Sequence, residues 1–237
     1  MVDRVGWRPL LAQIALITGA ALAYFAVRDL TQGERVLAEA NAGRVLSVER
    51  DLGIDHEAWF QELIIDHDWR VDVINAVYIY GHWPVIGIAL VVLFLRAPRD
   101  YRLLRNAMFV SGAIGLVIFV LFPVAPPRLG VLDLVDTVTQ RSDAYRTLQP
   151  PGLVNRYAAV PSLHFGWNLL VSVVAWRISA SRVVRVVAVV MPVAMGVAVV
   201  ATANHYILDV AAGGVVALVG LAVAIRLPSR APARSCA

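Results

Sequence analysis

Residues 183–227 read VVRVVAVVMPVAMGVAVVATANHYILDVAAGGVVALVGLAVAIRL. Two apolar runs, 183–203 and 206–227, are separated only by Asn204-His205. As helices, each is long enough to cross about 30 Å of hydrocarbon, which takes roughly 20 residues. Strands are excluded, because the runs lack the alternation of a barrel and an open sheet in lipid leaves backbone groups without partners. Working outward, four more stretches bounded by charged flanks match this pair: 10–27, 71–95, 106–124 and 161–176. The expected fold is all-α: a polytopic six-transmembrane-helix bundle.

The composition agrees. Hydrophobic residues make up 59% of the 237 and the mean hydropathy is +0.69, too apolar for a soluble domain. Cys236 is the sole cysteine, so neither a disulfide framework nor a cysteine metal site can form within the chain. The formal charge of +4 comes from arginine with no lysine, as expected of basic loops at a membrane rather than of a nucleic-acid binder.

Arginine placement orients the bundle. With six spans, twelve arginines and two acids fall on one side, against nine arginines and fifteen acids on the other. By the positive-inside rule the first side is cytoplasmic, so both termini lie inside and segments 28–70 and 125–160 lie outside. His164 and His205 then sit at the extracytoplasmic face of a cell membrane. In 28–70, Trp59, Phe60, Leu63 and Ile64 recur at helical spacing, and Gly43 and Gly53 interrupt the stretch before them. Two helical pieces forming an interfacial cap are predicted, with a small solvated cap over the bundle as the alternative. Ala21-Leu22-Ala23 resembles a signal-peptidase site, but the 18-residue run before it suits a retained anchor better. The division is 1–69 for the anchor and cap, 70–227 for the helical membrane core and 228–237 for a cytoplasmic tail.

Chemistry concentrates at the outer ends of the spans. His205 and Asp209, four apart, are placed on one helical face, where the carboxylate can fix the imidazole tautomer and leave the other nitrogen free to attack. An unpaired ionisable group in an apolar span is costly and normally marks function. Pro161-Ser162-Leu163-His164 is predicted to open a helix with Pro161 in its first turn. Free N–H groups and the Ser162 hydroxyl would there offer an anion site beneath His164. Arg128 and Arg156 are the nearby cations for a phosphate. Asn75, Tyr78 and His82 form a polar stripe that should face the interior and could line a substrate pocket. A metal site built from His82, His164, His205 and Asp209 is the weaker alternative, because no recognised ligand motif accompanies them.

Phe122-Pro123-Val124-Ala125-Pro126-Pro127-Arg128, Val160-Pro161-Ser162-Leu163-His164 and Asn204-His205-Tyr206-Ile207-Leu208-Asp209 together resemble the signatures of the type 2 phosphatidic acid phosphatase superfamily. The branch most similar is that of the inositol phosphorylceramide synthases. The resemblance covers about 70–225 and implies that His205 attacks phosphorus to give a phosphohistidine. It implies that Asp209 orients His205, that His164 protonates the leaving oxygen, and that Arg128 and Ser162 bind phosphate, with no metal or other cofactor. Val199 stands where many members carry an arginine, and the lysine that usually precedes the first signature's arginine is missing. Both departures fit the synthase-like branch and shift weight onto Arg156. The implied enzyme is a phosphoric monoester hydrolase or phosphotransferase acting on a lipid phosphate or phospholipid. Transfer of an inositol phosphate or similar head group, as by a phospholipid or sphingolipid synthase, is one alternative and an anion transporter the different-class one. The membrane is its partner, nucleic acid is not, and a homo-oligomer is left open.

Overall fold

A computed structural model of the chain describes residues 7–31, 35–130, 132–141 and 156–227. Its helices are α1 (Trp7–Thr31), α2 (Arg35–Leu52), α3 (Glu57–Ile65), α4 (Asp68–Tyr80), α5 (Trp83–Arg96), α6 (Pro98–Leu121), α7 (Thr137–Arg141), α8 (Leu163–Ile178), α9 (Arg182–Ala201) and α10 (Ile207–Arg226). Among the described residues, the remaining regular structure is a 3₁₀ turn at Pro127–Leu129 and an isolated bridge between Val124 and Ala158. The tail at 228–237 lies outside the described residues.

Four stretches are long and apolar enough to cross a membrane: Asp68–Arg96, Pro98–Leu121, Arg182–Ala201 and Ile207–Arg226. Of the other two predicted spans, the one at 161–176 is shorter and the one at 10–27 is described only in part. Helix α8 has 16 residues, about 24 Å, because Ser162 starts it late and the chain leaves it at Ser179. In α1 the described apolar core is Leu11–Ala20.

The predicted 71–95 span is broken in the middle. Gly81 and His82 separate α4 from α5, with His82 at φ −97°, ψ −92°. Pro84, in the first turn of α5, has no N–H to return to Tyr80 and its ring crowds that carbonyl. The break carries His82 into the bundle.

Helix α10 packs against α6 and α8, and α8 against α9. Leu104, Ala107, Met108, Leu170, Val174 and Ala217 form the main buried cluster between them. Small residues set the spacing, as is usual between helices in lipid. A Cβ on Gly213 would strike the Ser162 carbonyl, and one on Gly166 would lie 2.6 Å from the Gly213 carbonyl oxygen. These two glycines bring the start of α8 against the first turns of α10.

Helices α2 and α3 replace the predicted cap pieces, with one difference. Gly43 lies within α2, while Gly53, at φ 68°, makes the turn that ends it. Ala38, Ala42, Val45 and Leu46 of α2 are buried, as is Ile64 of α3, whereas Trp59 and Leu63 face outward. Asn41 Nδ2 donates to the Pro123 carbonyl at 2.9 Å, fastening α2 to the turn after α6.

Candidate active site

The three sequence signatures are knitted together by their backbones. Val124 N donates to Tyr157 O at 2.9 Å and Ala159 N to Val124 O at 3.2 Å. Arg128 N donates to Ala203 O, and Ser162 N to Asp209 O, each at 3.0 Å. Residues some 80 positions apart thus form one continuous rim around the N-terminal ends of α8 and α10.

His205 sits in the turn between α9 and α10. Ala203 adopts φ 55°, and this reversal lets Asn204 N and His205 N both donate to Val199 O, at 3.1 and 3.0 Å. The left-handed region is disfavoured for alanine, and such strain tends to be held where surrounding bonds over-determine it. Val199 is fully buried among apolar side chains, so it serves packing while its carbonyl anchors the histidine turn.

The tautomer of His205 follows from its partners. Its Nδ1 lies 2.7 Å from the Ala159 carbonyl oxygen and 3.4 Å from Asp209 Oδ2. Both are acceptors, so Nδ1 carries the proton and the lone pair resides on Nε2. The sequence assigned this orienting role to Asp209, but the shorter bond is to a backbone carbonyl. The reason is that His205 lies outside the helix. Tyr206 is the N-cap and Asp209, at N3, turns Oδ2 back to accept from Tyr206 N at 2.8 Å. Burial lowers the His205 pKa to about 4, against the raising effect of the Ala159 bond and helped by the nearby Arg128 charge. The imidazole is therefore neutral at physiological pH.

The ring of His164, at the second position of α8, has its centroid 5.9 Å from that of His205. Tyr78 stacks on His164 at 4.8 Å, and His82 lies 4.1 Å from it. Of the predicted stripe, Asn75 is engaged by Thr137 through two 3.0 Å bonds, and Tyr78 Oη donates to Asn204 Oδ1 at 3.3 Å. His82 is 3% exposed and its Nδ1 is buried with no partner among the described residues. Among those residues no three His, Cys, Asp or Glu side chains converge as a metal-holding group.

Ser162 differs from expectation. Pro161 precedes the helix instead of entering its first turn, and Ser162 is the N-cap, its Oγ accepting from Phe165 N at 3.5 Å. With Ser162 completely buried, its hydroxyl completes the helix end and is not presented to an open site. Arg128 is brought to the site: its guanidinium bonds Asn204 Oδ1 and meets Asp136 Oδ2 at 3.2 Å. Arg156 is exposed, and no hydrogen bond or ion pair joins it to another described residue.

Two residues that the sequence reasoning passed over complete the site. Glu57 Oε1 accepts from Ile207 N at 3.0 Å and Glu49 Oε1 from Leu208 N at 2.6 Å. With Asp209 on Tyr206 N, successive N–H groups of the α10 start are each met by a carboxylate, and all three acids are at most 1% exposed. This end of α10 is therefore filled from within. The signal was present in the spacing. Glu49 continues the buried series Ala38, Ala42, Val45, and Glu57 stands in phase with buried Gln61 and Ile64.

An apolar cavity of about 540 Å³ lies between α3, α8, α9 and α10. Its lining includes Phe165, next to His164 in the chain, and Ile207, two residues past His205, together with Phe60, Pro192, Val193 and Val197.

The family model of the PAP2 superfamily matches residues 43–223, more than half of the chain. The chain belongs to the PAP2 superfamily. The match takes in α2 from Gly43 onward and so includes Glu49 and Glu57 as well as all three signatures. No curated protein and no solved structure matches the chain. PAP2 membership points to phosphatase or phosphotransferase chemistry, and the apolar helices point to a membrane protein.

Proposed function

We propose that this PAP2 protein is a membrane-embedded lipid phosphate phosphatase or phosphotransferase that works through a phosphohistidine at the extracytoplasmic face. The observation that carries this is the lock on His205: with Nδ1–H held by Ala159 O, the Nε2 lone pair is left for attack beside a second histidine. In the first step Nε2 attacks phosphorus, the P–O bond to the lipid breaks, and His164 gives its proton to the departing oxygen. Water or an alcohol then displaces His205 from phosphorus, returning a proton to His164.

Asp209 fixes the turn that holds His205. Arg128 supplies charge for the equatorial oxygens, with Arg156 as a second cation from the solvent side, and Ser162 holds the backbone of that rim in place. His82, the stripe residue left with an unpaired nitrogen, is assigned to the leaving or accepting oxygen, with Tyr78 and Asn75 supporting that wall. The apolar cavity suits the hydrocarbon tail of the substrate. Cytoplasmic termini, a six-span bundle and an extracytoplasmic cap of α2 and α3 belong to the same proposal, on the strength of the arginine distribution.

Rapid acid-free quenching with a ³²P-labelled lipid phosphate tests it. Acid-labile, base-stable label should appear on the wild-type protein and be missing from His205→Ala, and label persisting in that variant would reject the mechanism. Adding inositol during turnover separates the branches: diversion of the labelled phosphoryl group to the alcohol marks a transferase, and unchanged release of phosphate marks a hydrolase.

A further inference from the structure

The end of the bundle remote from the histidines contains a second concavity. Arg177 follows His164 by 13 residues on the same helix, which places it about 20 Å away along the axis. There a cavity of about 440 Å³ is lined by Arg99, Arg102, Arg105 and Arg177, with Ala224, Ile225 and Leu227 of the α10 end along one wall.

The charge in this cavity is poorly matched. Among the described residues on its lining, Asp100 is the sole carboxylate, 3.9 Å from Arg177 Nε. Arg105 spends its donors on neutral oxygens, Gln13 Oε1 at 2.6 Å and Asn106 Oδ1 at 2.7 and 3.1 Å, so its charge is held in place without being neutralised. Arg102 Nε is buried with no partner among the described residues. Four guanidinium groups around one carboxylate repel one another, and a buried unpaired donor adds a desolvation cost. Burial of a charge-bearing donor without a partner is normally relieved by a ligand or by water.

We propose that this cavity binds the phosphate of an anionic phospholipid head group, a site separate from the histidine site. Arginine is the side chain suited to phosphate oxygens, and basic pockets between transmembrane helices on the arginine-rich side take such head groups. The source is a lipid because the remaining wall is apolar and open: Ile225 is 61% and Leu227 44% exposed, so the glycerol and acyl portion leaves the cavity along hydrocarbon-facing surface.

Native mass spectrometry of the full chain, released from micelles doped with phosphatidylglycerol or phosphatidylcholine, tests this. One phosphatidylglycerol should be retained by the wild type in preference to phosphatidylcholine. Arg102→Gln, and independently the exposed Arg99→Gln, should weaken that retention about fivefold or more each. Arg182→Gln, which removes a neighbouring arginine outside the cavity, should not. The same pattern is expected in a His205→Ala background, which keeps the result independent of the catalytic proposal. Competition by millimolar inorganic phosphate at matched ionic strength, without lipid selectivity, would assign the site to free phosphate and overturn the lipid. Equal retention of both lipids by the wild type, or equal loss in the Arg182 variant, would reject the site altogether.

Discussion

Glu49 and Leu208, 159 residues apart in the chain, are joined by a 2.6 Å hydrogen bond from the Leu208 amide to Glu49 Oε1. The bond fastens α2 to the helix whose first turn holds Asp209, one residue beyond. Glu57 repeats the connection from α3 to Ile207. Helices α2 and α3 thus support the histidine turn directly, through acids that no simple reading of a solvated surface would place inside.

Stability should fall with rising pH on account of Glu49. Burial raises its pKa to about 8 from an ordinary 4.5, with Glu57 adding to the shift and the Leu208 amide opposing it. Between those values the folded protein holds a proton that the unfolded chain has lost, so stability is greatest below about pH 4.5 and declines as pH rises towards 8. Glu49→Gln keeps the acceptor for Leu208 and removes the titration. Thermal unfolding between pH 5.5 and 8.5 should therefore slope downward for the wild type and less steeply for the glutamine variant. Glu49→Ala, which strands the amide, should cost about 1–3 kcal/mol at any pH in this range.

Catalysis should resist acid further than an ordinary histidine nucleophile allows. Attack needs neutral His205, and its pKa is lowered to about 4, so the nucleophile is lost only as pH falls through that value. The acid limb of kcat/KM, measured on a soluble short-chain substrate, should fall near pH 4. A limb near pH 6.5 would mean that burial does not control this imidazole.

Asp209→Asn should be milder than the loss of an orienting carboxylate usually is. Where the carboxylate alone sets the tautomer, the loss reaches about 10⁴-fold. Here the Ala159 carbonyl, at 2.7 Å against 3.4 Å for the carboxylate, keeps the proton on Nδ1. A fall of about 10–100-fold in kcat is expected with the retained phosphoenzyme burst, and a loss near 10⁴ would show that Asp209 outweighs the carbonyl.

His164→Ala should separate leaving groups. An ordinary lipid alkoxide needs the proton donor, and p-nitrophenolate needs it much less. Turnover of the lipid phosphate should drop about 10²–10⁴-fold while the burst with the activated ester survives. Equal loss for both esters would remove His164 from the acid role.

Gly213→Ala should disturb the site without touching a reacting group. The new methyl meets the Ser162 backbone, forcing α8 and α10 apart where His164 and His205 approach. A destabilisation of about 1–3 kcal/mol with a fall in kcat is expected, measured by thermal unfolding beside turnover. Gly19→Ala, where no atom of the described residues lies within 4 Å, is the matched control.

The chain's own order of residues determined the helical class, because apolar runs in lipid have no other way to satisfy their backbones. It also marked His164, His205, Asp209 and Arg128, since polar groups at the ends of such runs stand out against their surroundings. Tertiary structure decided the rest. Pro84 divides a continuous apolar run and turns His82 inward, Ser162 is consumed as a cap, and the Ala159 carbonyl, which no side-chain pattern can announce, outranks Asp209 in holding the imidazole. Glu49 and Glu57 look like surface acids until their helical phase is matched with the free amides of α10. Those amides become available only when helices far apart in sequence are brought together, and hydrogen bonds of that kind depend on distance in space rather than on spacing along the chain.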